Sequence, residues 1–293
     1  MRATILFGIV SCLFFQGLWA QEEEYSFDGV IKLSDITLYT YKVYFYEENG
    51  VIEGYSVTDQ DGGYETKSLI SGTIDYKTKS FTFHESQILT AKSPIVEDKF
   101  CYIHFTGTFR NETEGQHIRG RFDSKYLDGE LCINGQIELS NVGPILKKKE
   151  RPKVDIVGEI KSQSAIKQKQ KDLVSKANNV SINTVATNEV LHVFSKDEEL
   201  SMLIYDEELA DNDRIDLSIN EIPVLIDYGV TRRSRKVRIK MDRDRVEVKI
   251  TALTNGIIGK NTIRFDITDS NNLTRTVTNL DVGETATLVF LKQ

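Results

Sequence analysis

At 293 residues and 40% hydrophobic content the chain is long enough to build packed cores in two domains. A net charge of −7 with 28% charged residues is ordinary for an acidic soluble protein. It excludes a general nucleic-acid binder, because contacts to phosphates need a basic field.

Met1-Arg2 opens a short cationic start, residues 3–20 form an apolar run ending in Ala20, and Gln21-Glu22-Glu23-Glu24 follows at once. That order reads as a secretory signal peptide over 1–20, cleaved after Ala20, and not as a transmembrane helix. Ile9-Val-Ser-Cys12 offers a lipoprotein-type alternative with Cys12 lipidated, although the apolar run continues past it through Leu13-Phe14-Phe15. The mature chain is expected to be exported, to periplasm, cell surface or medium, with no transmembrane segment. Its two remaining cysteines, Cys101 and Cys132, then read as one disulfide in an oxidising compartment.

Residues 21–140 carry eight alternating runs, near 26–32, 37–47, 51–58, 66–75, 79–88, 99–110, 117–125 and 130–140. Asn49-Gly50, Asp61-Gly62-Gly63 and Asp128-Gly129 are among the turn signals between them. An apolar-x-Gly triplet recurs as Phe27-Asp-Gly29, Ile52-Glu-Gly54, Ile70-Ser-Gly72, Phe105-Thr-Gly107, Ile118-Arg-Gly120 and Ile133-Asn-Gly135. A glycine on the inward face lets a strand coil sharply, which a small closed barrel needs repeatedly. The expected fold is therefore all-β, beginning with an eight-stranded antiparallel up-and-down barrel. Ile52, Ile70, Ile74, Phe83, Phe105, Phe122 and Ile133 are its predicted inward set.

Strand count and glycine spacing make this stretch resemble the avidin-like and lipocalin-like barrels. The resemblance covers about 115 residues and implies the fold alone. Avidin-like pockets are lined by tryptophans, and the only Trp here is Trp19, within the leader; biotin binding is not implied.

Two details of the barrel stand out. Cys101 is in phase with the inward Ile103 and Phe105, whereas Cys132 is out of phase with Ile133. With a strand between them, about 9–10 Å apart, a bridge requires a bulge or fraying at the rim. Pairing across Asn49-Gly50 places Val43, Phe45, Ile52 and Gly54 inward, and Tyr44, Tyr46, Tyr55 and Val57 outward together. Such an exposed tyrosine cluster is either a ligand surface or the place where a second domain docks.

Residues 141–187 read as a basic linker, with one possible helix over 164–177. Within 141–185 ten Lys and Arg face four Asp and Glu, and the apolar content is too low for a core. From 188 to 293 short alternating runs return, including Val190–Phe194, Leu200–Tyr205, Val246–Ala252, Ile263–Ile267 and Ala286–Leu291. They predict a C-terminal β-sandwich. The stretch Asp211-Asn212-Asp213-Arg214-Ile215-Asp216-Leu217-Ser218-Ile219-Asn220, followed by Val224-Leu225 and later Asn261-Thr262-Ile263, resembles a small sandwich domain found at the ends of exported bacterial proteins.

Asp211, Asp213 and Asp216 form the best candidate for a cation, calcium if any, because hard cations take clustered carboxylate oxygens. The spacing departs from an EF-hand: Ile215 stands at a ligand position, and the glycine and closing acid are missing. No organic cofactor is expected. His84, His104, His117 and His192 are scattered, with His104 and His117 the expected cross-strand neighbours, and no nucleophile elbow or phosphate loop is present. The reading is a non-enzymatic exported protein that binds a glycan or another envelope component, with Tyr44, Tyr46 and Tyr55 as its surface. A lipocalin-like carrier of a small apolar ligand and a hydrolase with a dispersed site are the alternatives.

Overall fold

The computed structural model describes residues 23–33, 37–93, 99–112, 115–141, 182–206, 213–255 and 259–293. The expected leader, Cys12, the possible helix and most of the basic linker lie outside the described residues.

Eight strands form the barrel: β1 (Glu23–Lys32), β2 (Leu38–Glu48), β3 (Val51–Thr58), β4 (Thr66–Asp75), β5 (Ser80–Ala91), β6 (Tyr102–Glu112), β7 (Gly115–Lys125) and β8 (Leu131–Asn141). Each pairs antiparallel with its chain neighbours, and β8 returns to β1, which closes the ring. This closed eight-stranded antiparallel barrel is compatible with a lipocalin-like fold. Alternation places Phe27, Val43, Phe45, Ile52, Ile70, Phe83, Phe105, Ile118 and Phe122 in one buried cluster. Rings fill that interior: Phe27 stacks on Phe45 at 5.9 Å and 2°, and Phe83 on Phe105 at 5.1 Å and 23°.

The glycine triplets earn their place through close strand approach. Gly107 and Gly120 pair directly across β6 and β7. A Cβ on Gly107 would stand 2.5 Å from Cζ of Phe105, and one on Gly120 would stand 2.8 Å from it. Any larger residue at either position would have to displace a ring from the core.

Cys101 and Cys132 are bridged, with Cα atoms 6.0 Å apart. The register explains how the intervening strand is spanned. Asp123 pairs Asn134 but Lys125 pairs Leu131, so β8 carries one extra residue over this step, in the stretch that contains Cys132. This bulge re-aims the strand at the rim. It also overturns one expected inward residue: Ile133 is 45% exposed, while the others of that set are buried.

The second half is a two-sheet sandwich. One sheet holds β9 (Asn183–Val185), β11 (Glu199–Tyr205), β14 (Arg235–Lys240), β16 (Asn261–Thr268) and β17 (Leu273–Leu280), in the order β14-β11-β16-β17-β9. The other runs β13-β12-β15-β18-β10, from β10 (Val190–Ser195), β12 (Arg214–Ile219), β13 (Ile222–Gly229), β15 (Arg245–Ala252) and β18 (Thr285–Lys292). Met202, Ile239 and Phe265 from the first meet Leu217, Val248 and Phe290 from the second. β9 falls inside the stretch expected to be linker, so that expectation is corrected over Asn183–Val185. No α-helix occurs among the described residues, and none there is long and apolar enough to cross a membrane.

β5 joins the two halves. Ser80–His84 pair with β6 inside the barrel, whereas Thr90 and Ala91 pair with Val193 and His192 of β10. The barrel wall and one sandwich sheet are therefore a single 13-stranded sheet. Ile88, Ala91, Tyr102 and Phe194 pack the seam, and a Lys92–Glu189 ion pair at 3.0 Å lies beside it.

Candidate binding cleft

The β2–β3 hairpin builds the cleft. Asn49 and Gly50 both take positive φ, 55° and 82°, which suits the two-residue turn that matches strand twist. The resulting register sets Tyr44 directly opposite Tyr55, and Phe45 opposite Gly54. Tyr44, Tyr46, Tyr55 and Val57 consequently gather on the outer side of the wall, as a cluster separate from the barrel core. Tyr44 stacks on Tyr55 at 5.3 Å and meets Tyr46 edge-on at 5.4 Å.

These tyrosines are not exposed as the sequence reading expects. Tyr44, Tyr46 and Tyr55 are 1%, 4% and 1% accessible. The Tyr44 and Tyr46 hydroxyls both donate to Oε1 of Glu24, the latter at 2.7 Å, and lie 2.9 Å from each other. Burial, then the Glu24 carboxylate, pushes the Tyr44 hydroxyl well above the usual phenol range.

Lys67 places its Nζ 4.0 Å from the centre of the Tyr55 ring and is itself 4% accessible. Burial lowers its pKa from 10.5 to about 7, opposed by the charge of Glu65. Glu65 accepts the Asp61 N–H at 2.6 Å, and burial raises its carboxyl. Together with Lys42 and Val57, these groups line a cleft of about 210 Å³. Ile182 and Asn183, at the entry to the sandwich, close its far side. Asn183 is held by its own bonds, Nδ2 donating to the Arg275 carbonyl at 2.9 Å. With Gln60, two amines, two carboxylates, a phenol and two amides thus surround a space the size of a small organic molecule.

Two of the three acidic residues fall within the described part of the chain. Asp211 lies outside the described residues. Asp213 is buried, and its Oδ2 accepts the Thr262 N–H at 3.0 Å; Asp216 accepts the Asp227 N–H at 2.7 Å. Each carboxylate thus ties a different backbone segment. Among the described residues no group of three or more His, Cys, Asp or Glu is placed to hold a metal ion.

The histidines pair differently from expectation. His104 faces His84 across β5 and β6, with rings 5.9 Å apart at 14°, whereas His117 faces Arg110. His84 reaches Ser71 Oγ at 3.2 Å. Desolvation, then Lys125 and His84, lowers the pKa of His104.

Sequence reasoning passes over Glu85. It points into the barrel with Phe81 and Phe83, and its Oε1 accepts Tyr41 O–H at 3.0 Å and Ser56 O–H at 2.5 Å. Oε2 accepts the Ile103 N–H at 3.0 Å. Burial raises the Glu85 carboxyl against these three donors, and the Tyr41 hydroxyl is raised by burial and by Glu85. An acid at an inward position of an alternating run, in phase with two phenylalanines, is the signal that could have found it.

No protein-family model matches the chain, and neither a curated protein nor a solved structure is significantly similar to it.

Proposed function

We propose that the protein is an exported, non-enzymatic binding protein that takes a saccharide-sized polar ligand from the cell envelope into the cleft between Tyr55, Lys67 and Asn183. The observation that carries this reading is the mixed lining of that 210 Å³ space. A hydroxyl-rich ligand needs both donors and acceptors at short range. Lys42, Gln60 and Asn183 supply donors, Asp61 and Glu65 acceptors, and Val57 an apolar contact for ring C–H groups. Export rests on the cationic start and apolar run at 1–20 and accords with the Cys101–Cys132 disulfide. The lipocalin-like kinship of the barrel belongs to this proposal too, while stacked rings already occupy the space an apolar cargo would need.

Titration calorimetry of the full chain against a panel of neutral and acidic oligosaccharides tests the proposal. A saccharide that binds the wild type and is lost or weakened about tenfold in Asp61→Ala and Glu65→Gln supports it, since each removed charged hydrogen bond is worth about 1.5 kcal/mol. Binding that is indifferent to both substitutions, or absent across the panel, refutes it.

A further inference from the structure

The acidic chain contains one strongly basic stretch outside the linker. From Arg232 to Arg245, eight of fourteen residues are Arg or Lys, against two Asp. The fold turns this composition into a ridge. β14 is the outermost strand of its sheet and pairs only with β11. Val237 and Ile239 enter the core, so Lys236, Arg238 and Lys240 project from the opposite side of the strand and are exposed. Alternate residues on a strand repeat about every 6.8 Å, which gives a regular row of cations.

Half of these eight cations are not neutralised locally. Arg238 approaches Glu199 at 3.8 Å with both side chains largely exposed, a weak pair. Arg243 and Arg245 have acidic neighbours in Asp242 and Glu247. Arg233, Arg235, Lys236 and Lys240 make no ion pair among the described residues. A lysine or two suffices to keep an edge strand from pairing with another chain; four unneutralised cations on and beside one edge exceed that need.

We infer that the β14 edge is a docking surface for a polyanionic glycan, whose repeated carboxylate, sulfate or phosphate groups meet Lys236, Arg238 and Lys240 in turn, with the exposed Arg235 at the start of the strand. A narrow row of evenly spaced cations suits a linear polymer of regularly spaced anions better than a protein face. A stable protein interface buries roughly 800 Å² per partner around an apolar centre, and β14 offers no outward apolar side chain. Single-stranded nucleic acid would seek aromatic stacking platforms along its path, and β14 has none. The surface is distinct from the cleft, and its ligand does not depend on what occupies the cleft.

Heparin is the probe, with neutral dextran as control, in binding measurements on the full chain. Heparin should bind at 50 mM NaCl, weaken about tenfold or more by 300 mM, and leave dextran unbound. The triple variant Arg235→Gln/Lys236→Gln/Lys240→Gln should lose about tenfold or more in affinity with an unchanged melting temperature. Arg233→Gln/Arg235→Gln provides a second, milder check should the triple variant melt early. Lys147→Gln/Lys148→Gln/Lys149→Gln in the basic linker should bind like wild type. The proposal is overturned if the β14 variants bind normally or if the linker variant alone loses binding. Anionic phospholipid vesicles or single-stranded DNA binding where heparin does not would also overturn it.

Discussion

The Glu85 carboxylate takes the place of a strand: its Oε2 accepts the Ile103 N–H at 3.0 Å at the point where β5 turns away from β6. The last paired residues there are His84 and His104, and the next rung, Glu85 opposite Ile103, is made by a side chain. Tyr41 and Ser56 hold the other oxygen. The seal lets β5 leave the barrel for β10 without stranding a backbone donor in the interior.

Replacing Glu85 by alanine leaves three donors without their acceptor and should cost about 3 kcal/mol in urea unfolding. The pH profile carries a second signature. Burial raises the Glu85 carboxyl above its ordinary 4.5, so the folded state binds this proton more tightly than the unfolded state. Its contribution is fully present below pH 4.5 and declines as pH rises through the raised value. Urea melts of wild type and Glu85→Gln between pH 4 and 8 should show a steeper downward slope in the wild type. Equal slopes would place the titration elsewhere.

Lys67 works in the opposite direction. Its folded pKa of about 7 lies below the unfolded 10.5, so stability is gained as pH rises from about 7 towards 10.5. Lys67→Met should remove that gain. A wild-type stability that does not rise between pH 7 and 10, or one that rises equally in the variant, would contradict it.

Close approach at the paired glycines sets a third expectation. Gly120→Val should destabilise by about 3 kcal/mol or prevent folding, because the side chain meets the Phe105 ring and the β6 backbone. Gly63→Ala, where a Cβ would meet nothing within 4 Å, should change stability by less than about 0.5 kcal/mol. Similar melting temperatures for the two variants would remove the steric account of the repeat.

The disulfide closes a loop of 31 residues. Chain entropy assigns such a cross-link about 3.7 kcal/mol, so Cys101→Ser/Cys132→Ser should lower the melting temperature by about 10 °C. Reduction of the wild type should reproduce the shift. A reduced protein that melts with the oxidised one would show that the bulge holds the rim unaided.

What the residues disclosed by themselves follows from which forces are local. Period-2 alternation and the recurring glycines report a strand's own two faces, so the eight barrel strands and the inward placement of Phe45 or Phe122 could be read directly. The outward direction of Tyr44, Tyr46 and Tyr55 was equally legible. Their burial was not, because it depends on what the fold brings against that wall. Ile133 misled for a different reason: one extra residue on β8 reverses the phase, and a bulge leaves no mark in an alternating pattern. β9 is three residues long and pairs in parallel with β17, about 90 residues away, far beyond the reach of any local signal. The divergent partners of Asp213 and Asp216 likewise come from strands distant in sequence.

Because β5 takes part in both the ring and a sandwich sheet, the boundary between the halves falls within a single strand. Gene fusions that graft a foreign C-terminal module after Asn141 would inherit a β5 whose Thr90 and Ala91 keep β4 on one side and lose β10 on the other. Any lineage that exchanged one half would have had to bring along, or reinvent, the Thr90–Ala91 stitch.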